Sequence, residues 1–199
     1  MHSLDLKKNT PSDVTTHSDS EETTPFKTTK REHGELLFYP LKGALPRVSG
    51  FEPIIDLFGS KREGHLMPSR KAISFQDLRG WHASFFLIEF DEDLADGRMR
   101  ILGEMYGTLL TGALWQNMLV SETKSAILQG VDDYFRELLT GPYIGRFRGS
   151  LPFKGREHVC VDILDLPMVD DTGTPRYLMS FVREIAQRAS LMRGVAAGR

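Results

Sequence analysis

The sequence predicts an α+β domain, with a five-stranded antiparallel sheet, short helices on one of its faces and an added N-terminal helix. Three observations carry this expectation. Ser84-Phe85-Phe86-Leu87-Ile88-Glu89-Phe90 is aromatic and nearly continuous in apolarity. After the turn formers of 91–97, Arg98-Met99-Arg100-Ile101-Leu102-Gly103 returns, so the two runs read as a hairpin. From 104 to 139 the apolar spacing becomes helical and comes in short pieces. Three further strands then follow in meander order, at 143–151, 158–168 and 177–185. The turn sequence Val169-Asp170-Asp171-Thr172-Gly173-Thr174-Pro175 joins the last two.

Residues 1–33 are rich in Ser and Thr, and their few apolar side chains, Leu4, Leu6, Val14 and Phe26, show no period. Such a segment cannot bury enough apolar surface to offset chain entropy, so it is expected to be a disordered polar tail. Residues 34–83 read as an N-terminal arm and helix. Leu36-Leu37-Phe38-Tyr39-Pro40-Leu41 is short and interrupted by proline, which suggests an extended arm packed on the domain. Phe51, Ile54, Ile55, Leu57 and Phe58 have helical spacing, with Gly59 as a stop. A helical turn is expected near Phe75 to Leu78. Residues 84–185 form the expected core. Within it, helical pieces are read at 104–110 and 113–119, and Ser121 as the N-cap of a helix starting at Lys124. That helix is expected to continue through 131–139, with Val131, Tyr134, Phe135, Leu138 and Leu139 on one face. Residues 186–199 read as a last short helix and tail.

Lys plus Arg total 25 and Asp plus Glu 27, a net charge of −2, which argues against a surface built to track nucleic acid phosphates. The single cysteine, Cys160, excludes an internal disulfide framework and a thiolate-rich zinc site. The chain shows neither a secretory leader nor the ~18 apolar residues of a membrane span, so a cytoplasmic protein without membrane insertion is expected.

Hairpin, helical crossover and meander together make the architecture of PAS domains, whose inner helices lie over a small apolar cavity. Four motifs add a resemblance over roughly Phe51 to Ile185. They are Met67-Pro68-Ser69-Arg70, the Arg-rich strand Arg98 to Gly103, Gly107-Thr108-Leu109-Leu110-Thr111-Gly112, and Leu166-Pro167-Met168 followed by Asp170-Asp171-Thr172-Gly173. In order and spacing they resemble a bacterial family of stand-alone PAS-like proteins. The sequence departs from that pattern between Gly103 and Gly107, where the helix looks about one turn short, and at Ser74-Phe75, where the family carries an acidic-Pro pair. The resemblance implies a sensory and signalling module with no established chemistry, acting through a protein partner and expected as a homodimer. It implies no particular cofactor.

Candidate chemistry concentrates on the sheet. Cys160 falls in a strand rather than in the helical Asn-Cys-Arg-like motif of flavin photoreceptors, and 121–139 holds no histidine for a haem. Asp162 interrupts an apolar strand and needs a cationic partner. Arg146 and Arg148 share a face of the preceding strand, and Arg98 and Arg100 alternate likewise. These residues read as cross-strand salt bridges, with the alternative that one arginine faces the cavity and binds an anionic ligand. Met105, Tyr106, Trp115, Phe135, Phe147, Met179 and Phe181 read as interior lining. The candidate ligand-binding set is therefore Arg100, Trp115, Phe135, Arg146, Arg148, Cys160, Asp162 and Met179, with no catalytic or metal-binding residue assigned. Two other readings remain open. One is a ligand-free dimerisation or adaptor module. The other is a small α+β enzyme drawing on His82, His158 (beside Cys160) and Asp162.

Overall fold

The computed structural model describes residues 21–110, 112–123, 130–151, 153 and 155–186. The expected helix start at 124–129, the tail at 1–20 and the C-terminal segment from 187 onward lie outside the described residues.

The chain runs β1 (Lys27–Arg31), β2 (Gly34–Pro40), α1 (Glu52–Ser60), β3 (Phe85–Phe90), β4 (Gly97–Leu102), α2 (Glu104–Leu109), α3 (Val131–Thr140), β5 (Tyr143–Ser150), β6 (Cys160–Val169) and β7 (Pro175–Ile185). Single 3₁₀ turns occur at Arg70–Ala72, Gln76–Leu78, His82–Ser84 and Val120–Glu122. The class is α+β. The sheet has seven strands, in the order β1-β2-β5-β6-β7-β3-β4, rather than the five expected. Every pair of neighbouring strands is antiparallel.

The two additional strands come from the segment read as tail and arm. β1 is polar and exposed along most of its length, so no apolar alternation marks it. Its pairing with β2 holds it, together with Phe26, which stacks on Tyr143, and Lys27, which lies 4.6 Å from the Phe38 ring centre and pairs with Glu137. In β2, Leu36 and Phe38 pack in one core while Leu37 and Tyr39 pack in another. A strand buried on both faces loses its alternation in hydrophobicity, and the continuous Leu-Leu-Phe-Tyr run records this. β6 is buried at nearly every position for the same reason.

Helices cover both faces of the sheet rather than one. On the inner face, Tyr106 and Leu109 of α2 and Tyr134, Phe135, Leu138 and Leu139 of α3 pack against Phe86, Ile88, Leu178 and Val182. On the outer face, Ile54, Ile55 and Phe58 of α1 pack with Phe85, Leu87, Leu164, Leu166 and Phe181. Pro53 suits the first turn of α1 because its missing N–H is one no helix needs there. Gly59 lies within the last turn and does not stop the helix, which ends at Ser60. Residues 113–119 form turns and a bridge to Arg98 instead of a helix. Ser121 donates to Asp96, 2.5 Å away, which fastens this loop to the β3–β4 turn.

Candidate functional site

Between the inner face of the sheet and the layer formed by α2, α3 and the 112–123 loop lies a cavity of about 410 Å³. Phe86, Ile88, Met99, Leu114, Met118 and Phe147 supply much of its apolar wall, and the β1–β2 turn, Arg31 to His33, reaches its rim. A small polar group interrupts this wall. Asp165 of β6 stands in register between Gly145 of β5 and Ser180 of β7. The Tyr134 hydroxyl of α3 donates to Asp165 Oδ2 at 2.7 Å. The hydroxyls of Tyr106 and Ser180 bond one another, also at 2.7 Å.

Gly145 makes the Tyr134 approach possible. A Cβ at 145 would stand 2.1 Å from the Tyr134 hydroxyl and 2.7 Å from Leu138 Cδ1, so any larger residue would push α3 off the strand. The other carboxylate oxygen, Asp165 Oδ1, has no hydrogen-bond partner among the described residues, and neither does Thr123 Oγ1 on the same cavity wall. Asp165 is only 2% exposed. Burial pushes its carboxyl up to about 6, against the lowering influence of the nearby Ser180 hydroxyl and of Tyr134. Burial, and then the charge of Asp165, push both the Tyr106 and the Tyr134 phenols well above their ordinary range. The site is thus an apolar chamber whose sheet-side floor carries a carboxyl group with one uncommitted oxygen.

The residues singled out from the sequence are dispersed. Phe135 lines the cavity, as do Tyr106 and Phe147. Trp115 and Met105 are exposed, Trp115 by 51%. Arg100 pairs with Glu89 at 2.6 Å. Met179 and Phe181 pack in the outer core, and Met179 borders a separate hollow of about 60 Å³ beside Phe85 and Met168. Cys160 is buried and shares its parity along β6 with Asp162, so it too belongs to the outer side.

Arg146, Arg148 and Asp162 also lie on the outer side. Asp162 alternates in step with Leu164 and Leu166, and Arg146 with Ile144, all members of the outer core. The expectation that one of these arginines faces the cavity is therefore corrected by strand parity. The salt-bridge reading describes what they do. Arg146 Nε donates to Asp162 Oδ1 and Nη2 to Oδ2, both at 2.7 Å, in a bidentate pair. Glu22 approaches the same guanidinium at 3.4 Å. Burial opposes the charge on Arg146, but the hydrogen bonds and charge of Asp162, joined by Glu22, outweigh it and raise the pKa. Glu22 is lowered because Arg146 outweighs its own partial burial.

His82 stacks on Phe75 and bonds its carbonyl oxygen, whereas His158 is exposed before β6 begins. The Asp162 carboxylate is held by Arg146, away from either histidine's contacts. Among the described residues no group of three or more His, Cys, Asp or Glu side chains gathers in a metal-binding arrangement, and no helix is long and apolar enough to cross a membrane.

Asp165, with Gly145 and Ser180 beside it in the sheet and Thr123 elsewhere on the cavity wall, is what the sequence reading missed. One signal for it was present. Two aspartates interrupt β6 at an odd separation, so they must point to opposite faces, and pairing Asp162 with the β5 arginines leaves Asp165 to the other side.

No family model matches the chain, and no curated protein matches it. One solved structure to which it is similar is that of an RNA-binding Light-Oxygen-Voltage receptor. The identity is 11%, the match covers 79% of this chain and 40% of that one, and the TM-score is 0.40. This chain thus spans less than half the length of that receptor.

Proposed function

We propose that this protein is a PAS-like sensory module that binds a small molecule in its inner cavity and passes the resulting change to a partner protein. It would do so as a binding module rather than as a catalyst, in a reducing compartment that suits its lone cysteine. The carrying observation is the cavity of about 410 Å³, covered on one side by short helices and holding a buried carboxyl with one free oxygen. That volume falls in the range of small-molecule sites, which are mostly apolar with a few convergent polar groups. The strands around it support the PAS-like assignment. β3 and β4 form a hairpin, α2 and α3 cross over, and β5 to β7 close as a meander in the order β5-β6-β7-β3-β4. The β1–β2 hairpin extends the sheet beyond β5.

A second reading, a ligand-free dimerisation or adaptor module, draws on the exposure of Trp115 and Met105. Native mass spectrometry of the purified chain, with a thermal-shift screen of small amphiphiles, separates the two. The sensory reading expects a bound or bindable small molecule that is lost when Ile163, on the cavity wall, is replaced by Phe. A chain that binds nothing in either assay, yet self-associates through Trp115, supports the adaptor reading instead.

A further inference from the structure

We propose that the inner cavity takes a small organic cation, an amine whose protonated nitrogen sits on Asp165 Oδ1 and whose apolar body lies among Phe86, Phe135 and Phe147. The proposal deepens the sensory reading and rests on the cavity being a ligand site.

The free oxygen comes first. Asp165 is buried, Oδ2 is engaged by Tyr134, and Oδ1 is left without a donor among the described residues. An ionised carboxylate is purely an acceptor, so its unmet need is for an N–H or O–H. The groups that face it are Tyr134 from α3, Tyr106 from α2 and Ser180 from β7, with Gly145 on the fourth side. Among the described residues none of these groups carries a positive charge, so a cationic occupant would supply the charge that neutralises Asp165. Arg31, Glu32 and His33 stand at the rim, on the β1–β2 turn.

The walls point the same way. Phe86, Phe135 and Phe147 border the cavity with Tyr106 and Tyr134. A buried carboxylate in an aromatic-lined chamber favours a cation through the ion pair, to which any ring face meeting the cation adds. At Asp165 an anion would meet a like charge, the described cationic lining residue Arg31 standing away at the β1–β2 turn, and a neutral ligand would leave that charge unbalanced. Burial holds the carboxyl at about 6, a group that gains from an arriving cation. Thr123 Oγ1, also on the wall and without a partner among the described residues, offers a further hydrogen bond to the same ligand.

The test is isothermal titration calorimetry on the whole chain near neutral pH with three probes of one shape: 4-phenylbutylamine, 4-phenylbutan-1-ol and 4-phenylbutyrate. The amine is expected to bind at least about tenfold more tightly than the alcohol, with the carboxylate weakest. Asp165→Asn keeps an acceptor for Tyr134 and is expected to make amine and alcohol equal. If that variant does not fold, the wild type supplies the second measurement, in which amine affinity falls by about tenfold per pH unit once Asp165 protonates below about 6. An alcohol that matches the amine in the wild type, or an amine affinity flat through that pH range, overturns the cation proposal and leaves the cavity reading standing. Binding by none of the three at millimolar concentration overturns the cavity reading itself, and this proposal with it.

Discussion

Tyr134 reaches Asp165 across 2.7 Å through space that exists only because residue 145 has no side chain. Helix α3 and strand β6 are thereby joined by a buried hydrogen bond that depends on a third element, β5. Gly145→Ala would place a methyl group 2.1 Å from the phenol oxygen, which is not the free end of a mobile chain but part of a fully buried ring. The expected cost is on the order of 1–3 kcal/mol, typical of overpacking. Tyr134→Phe is expected to cost a similar amount by leaving a second Asp165 oxygen without a donor. Urea unfolding of both variants checks this, and a Gly145→Ala protein as stable as the wild type would contradict the packing described.

Asp165 also sets a pH dependence of unusual sign. Its carboxyl titrates at about 6 in the folded chain, against an ordinary value of 3.8. Between those values the folded chain keeps a proton that the unfolded chain releases. The contribution of Asp165 to stability is therefore greatest below about 4, falls as pH rises toward about 6, and stays at the lower level above it. The shift corresponds to a loss on the order of 3 kcal/mol. Glu22, Glu89 and Asp96 are shifted downward and act oppositely, losing their contribution only as pH falls through their lowered values. The informative quantity is thus the difference between the wild type and Asp165→Asn. It is expected to grow in favour of the variant from pH 4 to 7 in denaturant titrations, and a constant difference would show that Asp165 does not titrate in this range.

These relationships show what can be read from a sequence of this kind. β3, β4 and the β5–β7 meander were legible because aromatic and β-branched runs are bounded by turn formers such as Asp170 to Gly173, where Asp170 accepts from the backbone N–H groups of Thr172 and Thr174. The apolar face of α3 was legible from spacing alone. β1 was not, because an edge strand held by its partner needs no apolar pattern of its own. β2 was read as an arm because its run is short and meets Pro40, while burial on both faces erases the alternation that would have marked a strand. For the site, the pairing of Asp162 with Arg146 followed from chemistry, but the face they occupy required register and the placement of α1. Asp165 was hidden by context. Only the positions of Gly145 and Ser180 across the sheet show that its carboxyl stands in a cavity.

The Arg146–Asp162 pair is expected to behave as a unit. Arg146 is 1% exposed and its bidentate partner is equally buried, so removing either leaves a charge with no solvent to turn to. Arg146→Met or Asp162→Leu alone is expected to destabilise by about 3–5 kcal/mol, whereas the double replacement costs far less than the sum. Glu22→Gln, at 3.4 Å and partly solvated, is expected to cost under about 1 kcal/mol and to lose even that in high salt. A double-mutant cycle by chemical denaturation decides the matter, since additive single costs would mean the two charges are not coupled.

Gly50 tests the outer face at its margin. It adopts φ +81, and a Cβ there would fall 1.0 Å from Arg183 Nη1. Arg183 donates to the Ser49 carbonyl oxygen at 3.4 Å and lies 5.6 Å from the Phe51 ring centre, so its guanidinium closes over the turn that leads into α1. The clashing atoms belong to the mobile end of a partly exposed side chain. Gly50→Ala can therefore be accommodated by moving Arg183, at the cost of the cation–π contact, about 0.5–1 kcal/mol, and of the left-handed backbone, about 1–2 kcal/mol. Repeating the substitution on an Arg183→Gln background removes the first contribution and keeps the second. Thermal and urea unfolding should then show Gly50→Ala costing less on that background than in the wild type, yet still more than zero. Equal costs on both backgrounds would mean that Arg183 does not rest on Gly50, and that the approach to α1 is held by Phe51 and the backbone alone.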